Sequence, residues 1–562
     1  MNIIEVIDNA IEKELDKQLE KFDYTEQTII ELGVAIEIMF AEKKFMLGNS
    51  FLPLLEIIIE KLMRKEYKRD KRNNDLLLYY KLLEVAGDYH ILRDYIYYSY
   101  ANKSSINWKQ NKDKIEIRVL DKSIFRQLVH NNQTLFLNSS KMSEHKILSI
   151  DEVLLCLKDK DEFDFNNDQI IKVINSIEQE AKIKIKSFFS YIPSDSKIKF
   201  DNYTYCEFVR VYTELLELAL YRRYFSYANN LPSVIIYDSQ ELSGAMSNAL
   251  KMDEKIILSI LKDISYSSRG TLNYIIQDKI FIMYLTCFSL FDGITNMLKY
   301  YAVKNPKGYS SKFADIIGEA LVNDIESAFL KYENFKCIKD KKLNKYSQKL
   351  PDIDLLAISY EPSLGFHIFA CEVKNVLLPT WAKDYLKSYG EKGYITKALY
   401  QIDQISKFLK TEEGQKMLYQ IVLEKFSYMD LEKVLPHGFC VVIDYLIITS
   451  ENIGVLCDDT NKSIVSVAML KEIIDKSDGD VNYIKACLNN LNLTMDKCLN
   501  VINNRTVLNE LNIEYDACSS DTIVQFEQNY YISNGTYKEL EVLALETGYS
   551  FIDGVNCFED VN

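Results

Sequence analysis

Three side chains in one short stretch have the types and spacing for chemistry. Asp354 opens the run DLLAISY, and Glu372 and Lys374 close the run HIFACEVK. Successive side chains of an extended strand point to opposite faces. Glu372 and Lys374 therefore share a face. The intervening Tyr360-Glu361-Pro362-Ser363-Leu364-Gly365 contains proline, serine and glycine, which suit a turn. A strand–turn–strand hairpin then carries an acid on one strand and an acid and an ammonium on the other. Charges are rarely set among buried β-residues unless they are paired or hold a metal. Two facing carboxylates repel, and a divalent cation relieves that repulsion through hard oxygen ligands. The lysine beside them is placed to hold an anionic phosphate or a water. The chemistry this describes is metal-assisted hydrolysis of a phosphate ester.

The pattern resembles the PD-(D/E)XK, or restriction-endonuclease-like, phosphodiesterase superfamily. Pro351-Asp352 is a loose form of the first motif, and Asp354 fits the acidic position better because apolar residues follow it directly. Glu372-Val373-Lys374 supplies the second motif. The resemblance covers about residues 305–475. It implies that Asp354, Glu372 and the main-chain carbonyl of Val373 hold Mg²⁺ or Mn²⁺. It implies that Lys374 orients the attacking water or neutralises developing charge. It also matches Glu319 to a glutamate on the helix before the first strand, and Gln401 to a glutamine on the helix after the second motif. The implied activity is a nuclease acting on DNA ahead of RNA, in bacterial restriction or anti-phage defence.

The elements that must position these groups read in order. FADIIGEALVNDIESAF is a helix with Ile317, Leu321, Ile325 and Ala328 on one face. Asn334 to Ile338 reads as a first strand. Lys339, Lys341, Lys342, Lys345 and Lys349, with Tyr346 among them, form a local basic patch just before Asp354. That patch is either a contact for a polyanionic backbone or a solvated loop. Ile395 to Leu409 is a helix with Ala398, Ile402, Ile405 and Leu409 as its apolar stripe. Lys397 and Gln401 share another face at i, i+4, and Lys397 joins the candidate nucleic-acid contacts. Gly438 to Thr449 reads as a strand covered on both sides. Ser463 to Val467 and Ala468 to Ile474 read as a last strand and a closing helix.

Beyond this module the chain of 562 residues divides into a helical segment 1–105, a mainly helical segment 106–304 with a few strands, and a small appendage 476–562. Lys114 to Leu120 and Thr522 to Ile532 are strand-like, and Asn305 to Ser311 reads as a linker. The expected fold class is α+β, a largely helical N-terminal half followed by an α/β restriction-endonuclease-like core with a mixed sheet flanked by helices. The net charge of −15 argues against coating nucleic acid through bulk charge. A local basic surface, or a protein partner or oligomer, would have to deliver substrate. Eleven cysteines without a CxxC pair read as reduced thiols, and five scattered histidines without HExxH argue against zinc. There is no phosphate loop ending in Lys-Ser/Thr. The basic run from Arg64 to Arg72 reads as a solvated helix end. An acidic N-terminus and a longest apolar run of only Ile280 to Phe291 point to a cytoplasmic protein without a membrane. A second reading keeps the module as an inactive relic and makes the helical half a protein-binding scaffold.

Overall fold

A computed structural model of the chain describes residues 2–41, 45–69, 75–111, 114–126, 129, 148–160, 167–188, 191–231, 233–265, 273–276, 279–290, 292–361, 365–377, 379, 381–429, 439–451, 462–519 and 550–552. Four helices come first: α1 (Ile3–Leu19), α2 (Glu26–Ala41), α3 (Phe45–Met63) and α4 (Leu76–Ala101). Ile7, Ile11 and Leu15 on α1 recur at one-turn spacing and are buried against α4. Three residues of the basic run are engaged locally, while Lys71 and Arg72 lie outside the described residues. Arg64 pairs with Glu60, Lys68 with Asp23, and Lys65 donates to the carbonyls of Leu19 and Phe22.

Strands β1 (Ile106–Asn111) and β2 (Lys114–Val119) form a hairpin. Helices α5 (Ile150–Leu157), α6 (Asp168–Phe188) and α7 (Tyr205–Asn229) follow, the last opened by a reciprocal cap between Thr204 and Glu207. Then come β3 (Val234–Asp238), α8 (Ser239–Leu250), α9 (Glu254–Asp263), β4 (Asn273–Ile276), β5 (Ile280–Tyr284), α10 (Leu285–Leu290) and α11 (Gly293–Lys304). The apolar run from Ile280 is thus split between a strand and a short helix. Strands β3, β5 and β4 make an antiparallel sheet. Among the described residues no helix is long and apolar enough to cross a membrane.

The expected linker at 305–311 is helical instead. Asn305 caps the turn by accepting the Gly308 N–H at 3.0 Å, and Pro306 stands at the first helical position, where its missing N–H costs nothing. A π-helical turn, Ser310–Ala314, leads straight into α12 (Asp315–Phe329).

The largest sheet holds β6 (Phe335–Lys341), β7 (Ile353–Glu361), β8 (Gly365–Lys374), β9 (Phe439–Thr449) and β10 (Ser463–Ser466), in the spatial order β10-β9-β8-β7-β6. Neighbours β6, β7 and β8 are antiparallel, while β9 and β10 continue parallel to β8. The crossover from β8 to β9 carries α13 (Ala382–Ser388), α14 (Tyr394–Leu409) and α15 (Glu412–Lys425). One face, with Leu355, Ala357, Phe369, Cys371 and Leu446, packs with Ile317, Leu321 and Ile325 of α12 and with the closing helix α16 (Val467–Ser477). The other face, with Leu356, Ile358, Ile368, Ala370 and Ile447, packs with Ile395, Ala398, Ile402 and Ile405 of α14 and with α15. The N-terminal half grips this crossover. Asp94 of α4 accepts the Ala382 N–H at 3.0 Å, and His90 meets the Trp381 ring edge-on at 4.7 Å.

After α16 come α17 (Val481–Asn489), α18 (Leu491–Lys497) and a hairpin, β11 (Asn500–Leu508) and β12 (Leu511–Ser519). The residues after 476 do not stand apart as an appendage. Strand β12 runs parallel to β2, closing a four-stranded sheet in the order β1-β2-β12-β11. Arg118 of β2 fixes the join through Asp516 at 2.8 Å and Glu514 at 3.1 Å. Strand β13 (Ser550–Ile552) pairs antiparallel with the start of β9. The strand expected at Thr522 to Ile532 lies outside the described residues. The whole is a mixed α+β protein, mainly helical, with mixed sheets.

Candidate active site

The register of β7 and β8 pairs Leu355 with Cys371. One residue further, Asp354 comes opposite Glu372 on the face covered by α14. The main-chain ladder stops here for a visible reason. Asp354 Oδ2 accepts the Val373 N–H at 2.7 Å, where a continued ladder would use a carbonyl. Lys374, two residues from Glu372 and on the same face, donates to Glu372 Oε1. Glu372 is 1 % exposed, and its second oxygen, Oε2, is buried without a hydrogen-bond partner among the described residues. The side-chain oxygen of Gln401, on α14, is buried without one too.

Electrostatics follow from that packing. Burial raises the Glu372 pKa to about 7, the facing Asp354 charge adds to the rise, and Lys374 and Lys397 only partly offset it. Burial also lifts Asp354 above its ordinary value, against the Val373 N–H and Lys374. Both carboxyls thus resist ionising together.

Among the described residues no group of three or more His, Cys, Asp and Glu side chains is gathered for a metal ion. The pair Asp354 and Glu372, with the Val373 carbonyl next to Glu372 in sequence, is a smaller set of hard oxygen donors. Such a set suits Mg²⁺, which keeps several waters and takes one or two carboxylates. The unpartnered Glu372 Oε2 is the feature that fits a cation, since a buried polar atom left without a partner is costly.

The remaining candidates divide. Gln401 and Lys397 lie on α14, over the same face as the acid pair. Glu319 is exposed on α12, which packs on the opposite face, and it makes no hydrogen bond or ion pair with Asp354, Glu372 or Lys374. The i, i+4 stripe of α12 was legible, but which sheet face that stripe covers was not. Lys339 is tied to Glu326 at 2.8 Å and Asn323 at 2.6 Å. Lys342 is tied to Asp340 and Asp352. Asp352 also accepts the Leu343 N–H, so this acid braces the loop. Lys341 and Lys345 remain without ion pairs among the described residues. Lys345 sits over the Tyr346 ring at 4.8 Å, and that ring packs against Phe408 of α14 at 4.9 Å. Strand β6 is also a sheet edge, where lysines discourage pairing with another chain.

One buried polar group had no signal in the sequence. His367 of β8 bonds Asp444 of β9 at 2.7 Å, and Lys485 of α17 meets the same Asp444 oxygen at 3.1 Å. It depends on a parallel register between segments some 75 positions apart, which spacing does not reveal. Comparisons of the chain with protein-family models, with curated proteins and with solved structures find no match.

Proposed function

We propose that about residues 305–475 form a nuclease module of the PD-(D/E)XK type, which hydrolyses phosphodiester bonds in nucleic acid, DNA ahead of RNA. The observation that carries this reading is the buried, unpartnered Glu372 Oε2 facing a second carboxylate across two strands. The succession of helix, three antiparallel strands, helical crossover and parallel strand supports it. Asp354, Glu372 and the Val373 carbonyl would hold Mg²⁺ or Mn²⁺, which when bound polarises a phosphoryl oxygen and supplies an activated water. The chain's own groups do the rest. Lys374 turns from Glu372 toward the substrate and offsets the charge that gathers on phosphate oxygens. Gln401 offers its buried amide oxygen to a water. Lys397 lowers the cost of ionising Glu372. The acidic bulk fits an enzyme whose substrate is delivered by a partner or trigger, as in restriction or antiviral defence.

The test is Mg²⁺- or Mn²⁺-dependent cleavage of DNA and RNA by the pure chain. Asp354→Ala and Lys374→Ala should each lower the rate about 10²–10³-fold or more. Unchanged cleavage in both removes these residues from the chemistry. A second reading has its own observation: Lys374 closes directly onto Glu372. If that pair is permanent, the module needs no cation, and the helical half becomes a protein-binding scaffold. Thermal unfolding unaffected by Mn²⁺ would favour it.

A further inference from the structure

We propose that the flank of α14 beside the acid pair binds single-stranded nucleic acid, with Tyr394 and Tyr400 stacking on unpaired bases and Lys397, Lys345 and Lys341 holding phosphates. This names a substrate class for the nuclease reading and rests on that reading only for where cleavage would occur.

The geometry of one helix carries the argument. At about 100° per residue, Ile395, Ala398, Ile402, Ile405 and Leu409 make the buried stripe of α14. Beside it, moving outward on one side, come Tyr394, Gln401 and Lys397, and Tyr400 follows on the solvent-facing back of the helix. Gln401 lies next to Tyr394 near the inner margin, with its oxygen buried. Lys397 is exposed, yet its charge reaches Glu372. The flank therefore leads from the acid pair into solvent.

Two rings border it, Tyr394 at its inner end and Tyr400 at its outer end. Tyr394 is 50 % exposed and Tyr400 is 65 % exposed. Among the described residues neither stacks on another ring. They lie about 9 Å apart along the helix axis. Phe408, on the same flank but buried, packs against Tyr346, and Lys345 lies over that ring.

The charges agree with the rings. Among the described residues Lys397, Lys345 and Lys341 form no ion pair, although acids outnumber bases in the chain. Lys341 is held below its ordinary pKa by burial and by neighbouring Lys345 and Lys425, with Glu424 offsetting part of this. Like charges kept close in this way favour a polyanion. Asp403, the nearest acid on α14, is already engaged by Lys407 at 2.7 Å and Lys462 at 3.8 Å.

Stacking decides the strandedness. A ring meets the face of a base only when that base is out of a helix. A duplex hides those faces and is held mainly through phosphates, which needs a broad positive field that a chain of charge −15 lacks.

The test is fluorescence anisotropy on the full chain without divalent ion, using one labelled oligonucleotide as DNA, as RNA and as the matching duplex. The single strand should bind at least about tenfold more tightly than the duplex. Tyr394→Ala and Tyr400→Ala should each weaken it about five- to a hundredfold, while Tyr400→Phe keeps the affinity because the ring does the stacking. Lys397→Gln should reduce the salt slope by about one. Duplex bound as tightly as single strand, or alanine variants that bind like the parent chain, overturns the proposal. The comparison of strand forms needs no variant, so it decides even if one misfolds. Cleavage is scored separately. Single-strand binding that depends on both tyrosines, with no cleavage by the parent chain, keeps the strip and ends the nuclease reading. Duplex cleavage untouched by the tyrosine variants does the reverse.

Discussion

Strands β8 and β9 set one carboxylate on each face of one sheet, and the two are treated oppositely. Asp444 is enclosed by His367 and Lys485 on the α12 side. Burial pushes its pKa up, but the imidazole hydrogen bond and the lysine hold it below the ordinary carboxylate value. Burial holds the His367 pKa below its ordinary value, against the pull of Asp444. Glu372 on the α14 side has Lys374 on one oxygen and nothing on the other. Its pKa rises to about 7. Unequal satisfaction separates a carboxylate that braces the fold from one left with an oxygen unpartnered among the described residues.

The largest expected contrast is between two substitutions. Glu372→Gln should abolish metal-dependent cleavage, by about a hundredfold or more, with unchanged or higher stability, since it removes a buried charge facing another acid. Asp444→Asn should keep cleavage within a few-fold and cost about 1–3 kcal/mol, because it strands Lys485. Single-turnover cleavage and urea unfolding read the two effects, and a reversed pattern would break the comparison. Next in size is the response to metal. Saturating Mn²⁺ should raise the melting temperature more at about pH 8 than at about pH 6, because Glu372 must first lose its proton. Asp354→Asn should remove the shift.

Smaller is the pH dependence of stability without divalent ion. Glu372 has a raised folded-state pKa, so its contribution is full below the unfolded value of about 4.3 and is lost as pH rises through about 7. Asp444 has a depressed one, so its contribution is present above the unfolded value and is lost as pH falls through the folded value. Glu372→Gln should therefore flatten the decline between about pH 4 and 7, and Asp444→Asn should flatten the acid limb below about pH 4. Chemical unfolding across pH, compared with the parent chain, isolates each. The smallest effect is expected at Lys339. Its exposed pair with Glu326 is worth about 0.5 kcal/mol, so Lys339→Ala should leave both unfolding and oligonucleotide affinity nearly unchanged.

Local pattern carried much of this and failed at long range. The period-two runs around Asp354 and Glu372, the apolar stripes of α12 and α14 and the run ending at Thr449 each declare their own element. The pairing of Asp354 with Glu372 was readable because a short turn fixes the register. Glu319 shows the limit, because its place depends on which face receives α12. Asn305-Pro306 looked like a break, yet the asparagine caps and the proline starts a helix. The β11–β12 hairpin carries a local signal in its turn. Asn509 and Glu510 join two β-rich runs, and both have positive φ, 47° and 70°, as a two-residue hairpin turn requires. That β12 lies beside β2 is a matter of assembly that neither strand states alone.

That pairing governs when the chain can be completed during synthesis. Strand β2 emerges early with one edge unfilled, and the partner it needs is made only when Asn512–Tyr515 leave the ribosome. Until then the front of the molecule holds an open edge of the kind that invites wrong pairing. A premature stop before residue 511 would therefore injure the beginning of the protein, far from the missing piece, and take from the sheet of β6 to β10 only the short β13 beside β9.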